Sequence, residues 1–290
     1  MKVTSHVIRL RKLYRDKNID PNNVEKYTNL KLLKLETGNT DEKYSVFLKN
    51  IFTTYFCMDF SEGLVDIGSG TGEIVLISNL LGYSTYGVEI YQKESAIAEK
   101  LLQDNGYTGE KLIFTSLSDM INVKKVHYAM MLSVVEHVDN TTLIDLIYQL
   151  KQLGISKILI VVPNRYKPID DHTGLPFIGL FNRNFSLKII KLLGYKYLLS
   201  ENQDWDVHLR SPNDIDMLIK DTGYQIRYID DDNIFPPLNL VKKIGLLNRK
   251  FLSKDWFLNL FYIVYLNLIK YNSKNYYPYL NFILEIKHEK

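Results

Sequence analysis

Between residues 60 and 165 the chain alternates short apolar runs with longer stretches whose apolar positions recur every three to four residues. A short apolar run is typical of a buried strand, and the three-to-four spacing is typical of an amphipathic helix. Strands are predicted at Leu64–Ile67, Thr85–Ile90, Leu112–Thr115, Val126–Leu132 and Lys157–Val162, and helices at Glu73–Leu81, Lys93–Asp104 and Asn140–Leu153. This alternation predicts an α/β fold, with a mainly parallel sheet and helices on both faces.

The flanking regions follow other patterns. Helical spacing recurs before the alternation and after a long interruption, at Val24–Leu35, Glu42–Phe56, Leu187–Leu193 and Pro212–Thr222, and further strands are predicted at Tyr224–Asp230 and Leu280–Lys287. The last strand follows a long detour, which predicts that it enters the sheet antiparallel. We therefore predict an N-terminal helical cap at residues 1–60 and a second domain at 61–290, interrupted by insertions at about 164–211 and 235–278.

Composition narrows the class of protein. The chain has 290 residues, of which 46% are hydrophobic and 24% charged, a mixture typical of globular proteins. The single Cys57 excludes an internal disulfide and a multi-cysteine metal site, and it fits a reducing compartment. With 36 Lys and Arg against 33 Asp and Glu, we expect no nucleic-acid partner. The N-terminus carries charge in every turn, unlike a secretion signal, so a cytoplasmic protein is predicted.

One late stretch bears on membrane contact. Trp256–Ile269 is uncharged, but a bilayer span needs about 20 apolar residues. Lysines bracket the stretch on both sides, at Lys250, Lys254, Lys270 and Lys274. Such a helix can meet anionic headgroups, so a peripheral membrane contact through residues 251–272 is one prediction. The alternatives are that this helix covers the functional site or packs on the sheet.

The densest glycine signal is Leu64-Val-Asp-Ile-Gly-Ser-Gly-Thr-Gly-Glu73, where a predicted strand runs through a turn into a predicted helix. Glycines let a ligand approach the backbone, and the N–H groups of a helix N-terminus bind its polar end. A dinucleotide fingerprint needs glycine at position 73, and Asp66 would repel a pyrophosphate. A ligand with cationic groups and no phosphate fits better, and Glu89 after the next strand suits a ribose diol. The alternative is a structural glycine turn with surface acids.

Val65-Asp-Ile-Gly-Ser-Gly-Thr-Gly72 with Glu89 resembles the class I S-adenosylmethionine-dependent methyltransferases over roughly residues 60–165. The resemblance implies a Rossmann-like fold with a mainly parallel seven-stranded sheet, an antiparallel last strand, and S-adenosyl-L-methionine as cofactor. Carried over by position, the cofactor contacts would be Asp66, Gly68, Ser69, Gly70 and Gly72 in the loop, Glu89 on the ribose, Ile90 beside the adenine, Ser118 or Asp119 near its amine, and Leu132 ending the fourth strand.

The family's fourth motif is similar to Met130-Met-Leu-Ser-Val-Val-Glu-His-Val138. Many members carry an aspartate early in that strand, where this chain has His127-Tyr128-Ala129, and this departure leaves the acceptor chemistry open. His137 is expected to open the next helix beside the methyl group, where a neutral imidazole can act as base. In the alternative, Glu136 and His137 cap that helix and brace the cofactor loop.

His172 is the second candidate base. Asp170 and Asp171 precede it and can orient its ring, or the segment can be a hydrogen-bonded loop without a catalytic role. The predicted catalytic residues are therefore His172, His137 and Asp171. No metal is expected, because adjacent residues rarely bind one ion together and no second cluster at ligand spacing is present.

A finer resemblance concerns Pro163-Asn-Arg165, His172–Pro176 and His208, which are similar to a methyltransferase subgroup often encoded with cell-envelope glycan or lipid biosynthesis enzymes. It implies O-methylation of a small-molecule, sugar or lipid-linked acceptor, faced by the two insertions. A non-catalytic regulatory protein that binds S-adenosylmethionine is the alternative. A short dehydrogenase would need a Tyr and a Lys four residues apart after the fourth strand, and no such pair stands out. The oligomeric state is left open.

Overall fold

The computed structural model describes residues 4–17, 24, 28, 43–121, 125–170, 172–194, 199, 204–229 and 279–287. Several predictions lie outside these residues. They are the catalytic role of Asp171, the insertion at 235–278 with its helix at 251–272, and most of the helix predicted at Val24–Leu35.

The described strands are β1 (Leu64–Ile67), β2 (Thr85–Val88), β3 (Ile113–Phe114), β4 (Tyr128–Leu132), β5 (Lys157–Pro163), β6 (Tyr224–Tyr228) and β7 (Tyr279–Ile286). The described helices are α1 (Thr4–Asp16), α2 (Lys43–Asn50), α3 (Glu73–Leu80), α4 (Gln92–Asp104), α5 (Leu117–Ile121), α6 (Asn140–Gln152), α7 (Arg183–Leu192) and α8 (Pro212–Ile219). None of these helices has the length and apolar character that crossing a bilayer requires.

The strands form one seven-stranded sheet in the order β3-β2-β1-β4-β5-β7-β6. The strand β1 pairs parallel with β2 and β4, and β2 pairs parallel with β3. The last strand, β7, pairs antiparallel with β6, with Tyr224 opposite Ile286. The predicted α/β fold, Rossmann-like and mainly parallel with an antiparallel last strand, is confirmed.

Some element boundaries differ from the prediction for local reasons. The second strand stops at Val88 instead of Ile90, and the Glu89 side chain that follows it accepts from the N–H groups of Gly70 and Tyr91. The helix predicted at Glu42–Phe56 is α-helical only to Asn50 and continues as a π-helical turn, Ile51–Phe56. The short helix α5 has no predicted counterpart, and the Ser116 hydroxyl caps it by accepting from the Asp119 N–H at 3.1 Å.

The chain divides into two compact units. The first comprises Met1–Leu132 and Tyr148–Leu159, and the second comprises Ser133–Ile147 and Ile160–Lys290. In the first unit all four residues of β1 and of β2 are buried. The Arg9 guanidinium pairs with the Asp104 carboxylate at 2.7 Å and so ties α1 to α4.

The second unit has an apolar cluster of Ile178, Ile190, Trp205 and Val207. Side-chain caps begin both of its later helices. The Asn182 side chain accepts from the Phe185 N–H to start α7, and Ser211 forms a reciprocal capping box with Asp214 at the start of α8. These caps fix where the helices begin, and therefore the course of the loops between them.

Candidate functional site

The glycine loop joins β1 to α3 in the first unit. Its three glycines have positive φ, of 70° at Gly68, 57° at Gly70 and 84° at Gly72. The backbone N–H groups of Gly68 and Ser69 both donate to the Val88 carbonyl, at 2.8 and 3.2 Å, which holds the loop against β2. A Cβ on Gly72 would lie 2.7 Å from the Cβ of Ala98, so both φ and space require glycine there.

Glu89 is bound to this loop. Its Oε2 accepts from the Gly70 N–H at 2.8 Å, and its Oε1 accepts from the Tyr91 N–H at 2.9 Å. The residue is only 5% exposed. A carboxylate has about four lone-pair positions, so two backbone bonds leave it the capacity to accept from a diol. Sequence reasoning predicted Glu89 as an acid for a ribose, which stays a prediction, and missed that its carboxylate braces the loop.

The surroundings of the loop fit the cofactor that the resemblance implies. In the part of the chain that the structure describes, the buried Ser69 hydroxyl has no hydrogen-bond partner, and a buried polar atom normally has one. Asp66 is buried in β1, which pairs with β2 on one side and β4 on the other, and it lies two residues before Gly68. Ile90 and Tyr91 are 70% and 61% exposed and present an apolar surface next to Glu89. The unpaired hydroxyl and the buried Asp66 suit an amino-acid end, Glu89 suits a ribose, and the exposed apolar edge suits an aromatic base.

The remaining predicted cofactor contacts lie at the ends of β3 and β4. Ser118 and Asp119 are exposed in the first turn of α5, and the Ser118 and Ser116 hydroxyl oxygens are 3.0 Å apart. Leu132 is half-buried as the last residue of β4. Their contacts with an adenine stay a prediction.

Glu73 occupies the position where a dinucleotide fingerprint needs glycine. It is buried, and its Oε1 accepts from the Thr71 hydroxyl at 2.5 Å and lies 3.0 Å from Nε2 of His6. His6 belongs to α1, so these contacts fasten the N-terminal helix to the end of the glycine loop. Sequence reasoning missed His6, because nothing local to residue 6 indicates a partner 67 residues away.

The second unit begins just after β4, with Ser133 at a positive φ of 58°. A single 3₁₀ turn, Val135–His137, follows. The prediction that His137 opens the next helix is wrong. The helix α6 begins at Asn140, and it is the Asp139 carboxylate that accepts from the Thr142 N–H at 2.9 Å. His137 is instead exposed at the end of the 3₁₀ turn, with its Nδ1 3.0 Å from the Asp206 carbonyl oxygen.

The two predicted bases are brought together. The rings of His137 and His172 meet edge to face, with centroids 5.2 Å apart. Glu136 joins them, and one side-chain ligand atom from each of these three residues lies within 4.8 Å of the other two. We call Glu136, His137 and His172 the histidine cluster. The spacing of residues along the sequence did not indicate this cluster, because His172 lies far from Glu136 and His137 in the chain.

Asp170 acts on the backbone beside the cluster. Its Oδ2 accepts from the His172 N–H at 3.1 Å and from the N–H and hydroxyl of Thr173 at 2.7 and 2.8 Å. These bonds form the hydrogen-bonded loop that was the alternative to a ring-orienting role. The Asp170 carboxylate is therefore bound to the turn, and Asp171 lies outside the described residues.

Arg210 holds the turn that carries Glu136 and His137. The residue is 3% exposed, and its guanidinium donates to the carbonyls of Val135 and Val138, both at 2.6 Å, and to Oδ1 of Asn140 at 2.9 and 3.1 Å. Burial lowers the pKa of this guanidinium. Because each end of the 3₁₀ turn is bound to one rigid side chain, the turn has little freedom to move.

A cavity of about 280 Å³ lies in the same unit. Polar and aromatic residues in its wall include Asn140, Arg165, Arg183, Trp205, His208 and Arg210. The His208 N–H donates to the Glu136 carbonyl at 2.6 Å, so the wall and the histidine cluster share a backbone contact. Burial, followed by the charges of Arg183 and Arg210, lowers the pKa of the His208 imidazole. Within the described chain the buried Trp205 Nε1 has no hydrogen-bond partner.

Comparison with known proteins found likeness at the level of solved structures. No family model and no curated protein matches the sequence. The magnesium protoporphyrin IX methyltransferase of Synechocystis PCC 6803 with bound S-adenosylhomocysteine is 13% identical, with 98% of this chain and 95% of that chain covered and a TM-score of 0.45.

Two further similar structures are longer than this chain. The phosphoethanolamine N-methyltransferase 2 of Haemonchus contortus with S-adenosyl-L-methionine is 14% identical, over 84% of this chain and 52% of that one, with a TM-score of 0.48. Human N-acetylserotonin methyltransferase with the same ligand is 12% identical, with 95% of this chain and 58% of that chain covered and a TM-score of 0.44. The chain thus spans little more than half of either, and any assignment of function has to rest on its own residues.

Proposed function

We propose that the chain is an S-adenosyl-L-methionine-dependent methyltransferase. The observation that carries the proposal is the bond between the Glu89 carboxylate and the Gly70 N–H. It ties the acid proposed for the ribose to the loop proposed for the amino-acid end of the cofactor. A merely structural glycine turn would need no buried carboxylate at its centre.

The proposed holders of the cofactor are the loop residues and the ends of the next strands. Asp66 and the Ser69 hydroxyl would take the amino-acid end, Glu89 the two ribose hydroxyls, and Ile90 one face of the adenine. When bound, this cofactor supplies a methyl group already activated by a sulfonium. The chain therefore has to position an acceptor and, if the acceptor is a hydroxyl, remove its proton.

Proton removal is assigned to the second unit. We place it at the His137 and His172 imidazoles, since both are accessible at least in part and their rings meet. A neutral imidazole can accept a proton at neutral pH. Asp171 belongs to the same proposal on the sequence alone. The hydrogen bond from His137 to the Asp206 carbonyl would keep Nε2 as the acceptor nitrogen.

The acceptor is proposed to be a hydroxyl on a small molecule, a sugar or a lipid-linked glycan. The 280 Å³ cavity with its arginines and Trp205 is the candidate for part of its binding site. If the acceptor is lipid-linked, the protein should bind vesicles containing anionic lipid at low salt and release them at high salt. No co-sedimentation at low salt would exclude that acceptor class and the peripheral membrane contact through 251–272.

The test of the proposal is calorimetric titration with S-adenosyl-L-methionine, combined with a mass-spectrometric search for methylated products in a set of hydroxyl-bearing acceptors. Binding with turnover is expected. Binding without turnover on any acceptor would favour the regulatory alternative, and absence of binding would refute the proposal.

Once an acceptor is found, His137→Ala and His172→Ala are each expected to lower turnover by roughly 10²-fold while the cofactor affinity stays nearly unchanged. His127→Ala is the matched control, because this histidine lies in the first unit near the start of β4. The turnover of this variant should match that of the wild type. Full activity of both cluster variants would show that neither imidazole removes the proton.

A further inference from the structure

We propose that Glu136, His137 and His172 form a binding site for one divalent transition-metal ion. Binding of the ion does not depend on the proposed function, whereas a catalytic role of the ion rests on the proposed function. The three ligand atoms lie within 4.8 Å of one another. A tetrahedral ion about 2.1 Å from each ligand needs them roughly 3.4 Å apart, so the side chains close by about 1.4 Å or less on binding.

The donor set indicates which ions fit. Two imidazole nitrogens and one carboxylate oxygen favour Zn²⁺, Mn²⁺, Fe²⁺ or Co²⁺, whereas Mg²⁺ and Ca²⁺ favour sites built from oxygen ligands. Three protein ligands leave at least one coordination position open. An open position distinguishes a site that binds a further ligand from a closed structural site.

The hydrogen bonding of His137 matches that of a metal ligand. A carbonyl oxygen can only accept, so the 3.0 Å contact with Asp206 means that Nδ1 of His137 carries the proton and donates it. This leaves Nε2 with a free lone pair. Metal-binding histidines usually donate their other ring N–H to a carbonyl or a carboxylate, which fixes the tautomer and the ring orientation. The Asp206 carboxylate, 3.7 Å from the same Nδ1, adds negative charge behind the ring.

The backbone under the ligands is held in place before any ion binds. Arg210 fixes both ends of the turn that carries Glu136 and His137, and Asp170 fixes the turn that carries His172. Glu136 itself is 1% exposed, which limits its side-chain freedom. A preorganised set of ligands loses little conformational entropy on binding an ion, and this raises affinity.

An ion here would change how the proton leaves. A hydroxyl coordinated at the open position has a lowered pKa, because the cation stabilises the alkoxide. The O–H bond breaks, its electron pair stays on the coordinated oxygen, and the proton passes to water or a buffer base. The two imidazoles then act as ligands and not as bases, so the loss of either lowers turnover by removing the ion.

The test uses the full chain without a polyhistidine tag, stripped with a chelator and dialysed. Titration with Co²⁺ is followed by visible absorption, and titration with Zn²⁺ by calorimetry. We expect one ion per chain and ligand-field bands of a site with nitrogen ligands. His137→Ala, His172→Ala and the isosteric Glu136→Gln should each weaken binding by at least about 10- to 100-fold, while His127→Ala binds like the wild type.

Two results would overturn the inference. One is the absence of ligand-field bands and of binding heat at excess ion in wild-type protein with a native circular dichroism spectrum. The other is equal affinity in the wild type and in folded Glu136→Gln. The same samples are titrated with S-adenosyl-L-methionine. A chain that binds Co²⁺ at the cluster but not the cofactor would refute only the proposed function, and the reverse result would refute only the metal site.

Discussion

Replacement of Glu89 tests the proposed cofactor site most directly. In the structure its two carboxylate oxygens accept from the N–H groups of Gly70 and Tyr91 at 2.8 and 2.9 Å. Glu89→Ala removes these bonds and the proposed contact with the ribose. Hydrogen bonds to a charged group contribute about 1.5–3 kcal/mol, so the Kd for S-adenosyl-L-methionine should rise by roughly 10- to 150-fold.

The same replacement should also lower stability. The N–H groups of Gly70 and Tyr91 lose their acceptor, which costs about 1–3 kcal/mol in the free energy of unfolding where water cannot replace it. Glu89→Gln should fall between the wild type and Glu89→Ala, because an amide has one oxygen and its NH₂ group opposes the second N–H. Affinity is measured by calorimetry, and stability by urea unfolding followed by circular dichroism.

The control is Glu99→Ala, since Glu99 is exposed on α4 in the same unit and is not part of the loop. This variant should leave the cofactor affinity and the free energy of unfolding unchanged. If Glu89→Ala loses stability but binds the cofactor as tightly as the wild type, the carboxylate is only a brace and the ribose contact is wrong.

Three further predictions follow from single contacts. Gly70→Arg should abolish cofactor binding in a folded chain, because φ there is 57° and a side chain blocks approach to the backbone; retained micromolar affinity in calorimetry would contradict this. Arg210→Met should lower the free energy of unfolding by about 3 kcal/mol, measured in urea, since the buried Val135 carbonyl and the half-buried Val138 carbonyl lose their donor. A loss below about 1 kcal/mol would refute this prediction. Burial and the bond to Glu62 raise the pKa of Tyr128 to about 12, so the neutral phenol is favoured in the folded state. Between pH 10 and 12 the wild type should therefore lose on the order of 2 kcal/mol more stability than Tyr128→Phe, and parallel pH curves would refute it.

The predictable part of the fold is the part with local signals. The predicted bounds of the strand β1 match the observed ones, because the apolar run of the strand and the glycines of the turn that ends it are adjacent in the sequence. The helices α3 and α6 were predicted to within one residue at their ends for the same reason. The π-helical turn Ile51–Phe56 has the same apolar spacing as an α-helix, so periodicity alone cannot separate the two.

In the candidate site, the glycine loop and Glu89 could be predicted from the sequence, but the histidine cluster could not. Glu89 follows a strand that is next to the glycine loop in any parallel α/β sheet, so the order of elements places it. The histidine cluster has no such rule. His172 reaches His137 because Asp170 and Thr173 shape a turn in an irregular segment, and such turns depend on tertiary contacts. Arg210 was missed too, since nothing in a sequence distinguishes a buried arginine that binds carbonyls from a solvated one.

The bond between Glu89 and Gly70 also has a kinetic consequence. Because the loop is already fixed by the carboxylate, the entropy of ordering it is lost when the chain folds and not when the cofactor arrives. Association of S-adenosyl-L-methionine should then be a single exponential whose rate rises linearly with ligand concentration, with no slower phase from loop closure. Release would likewise need no opening of this loop. The exchange of spent cofactor for fresh cofactor at the loop would therefore be governed by dissociation alone.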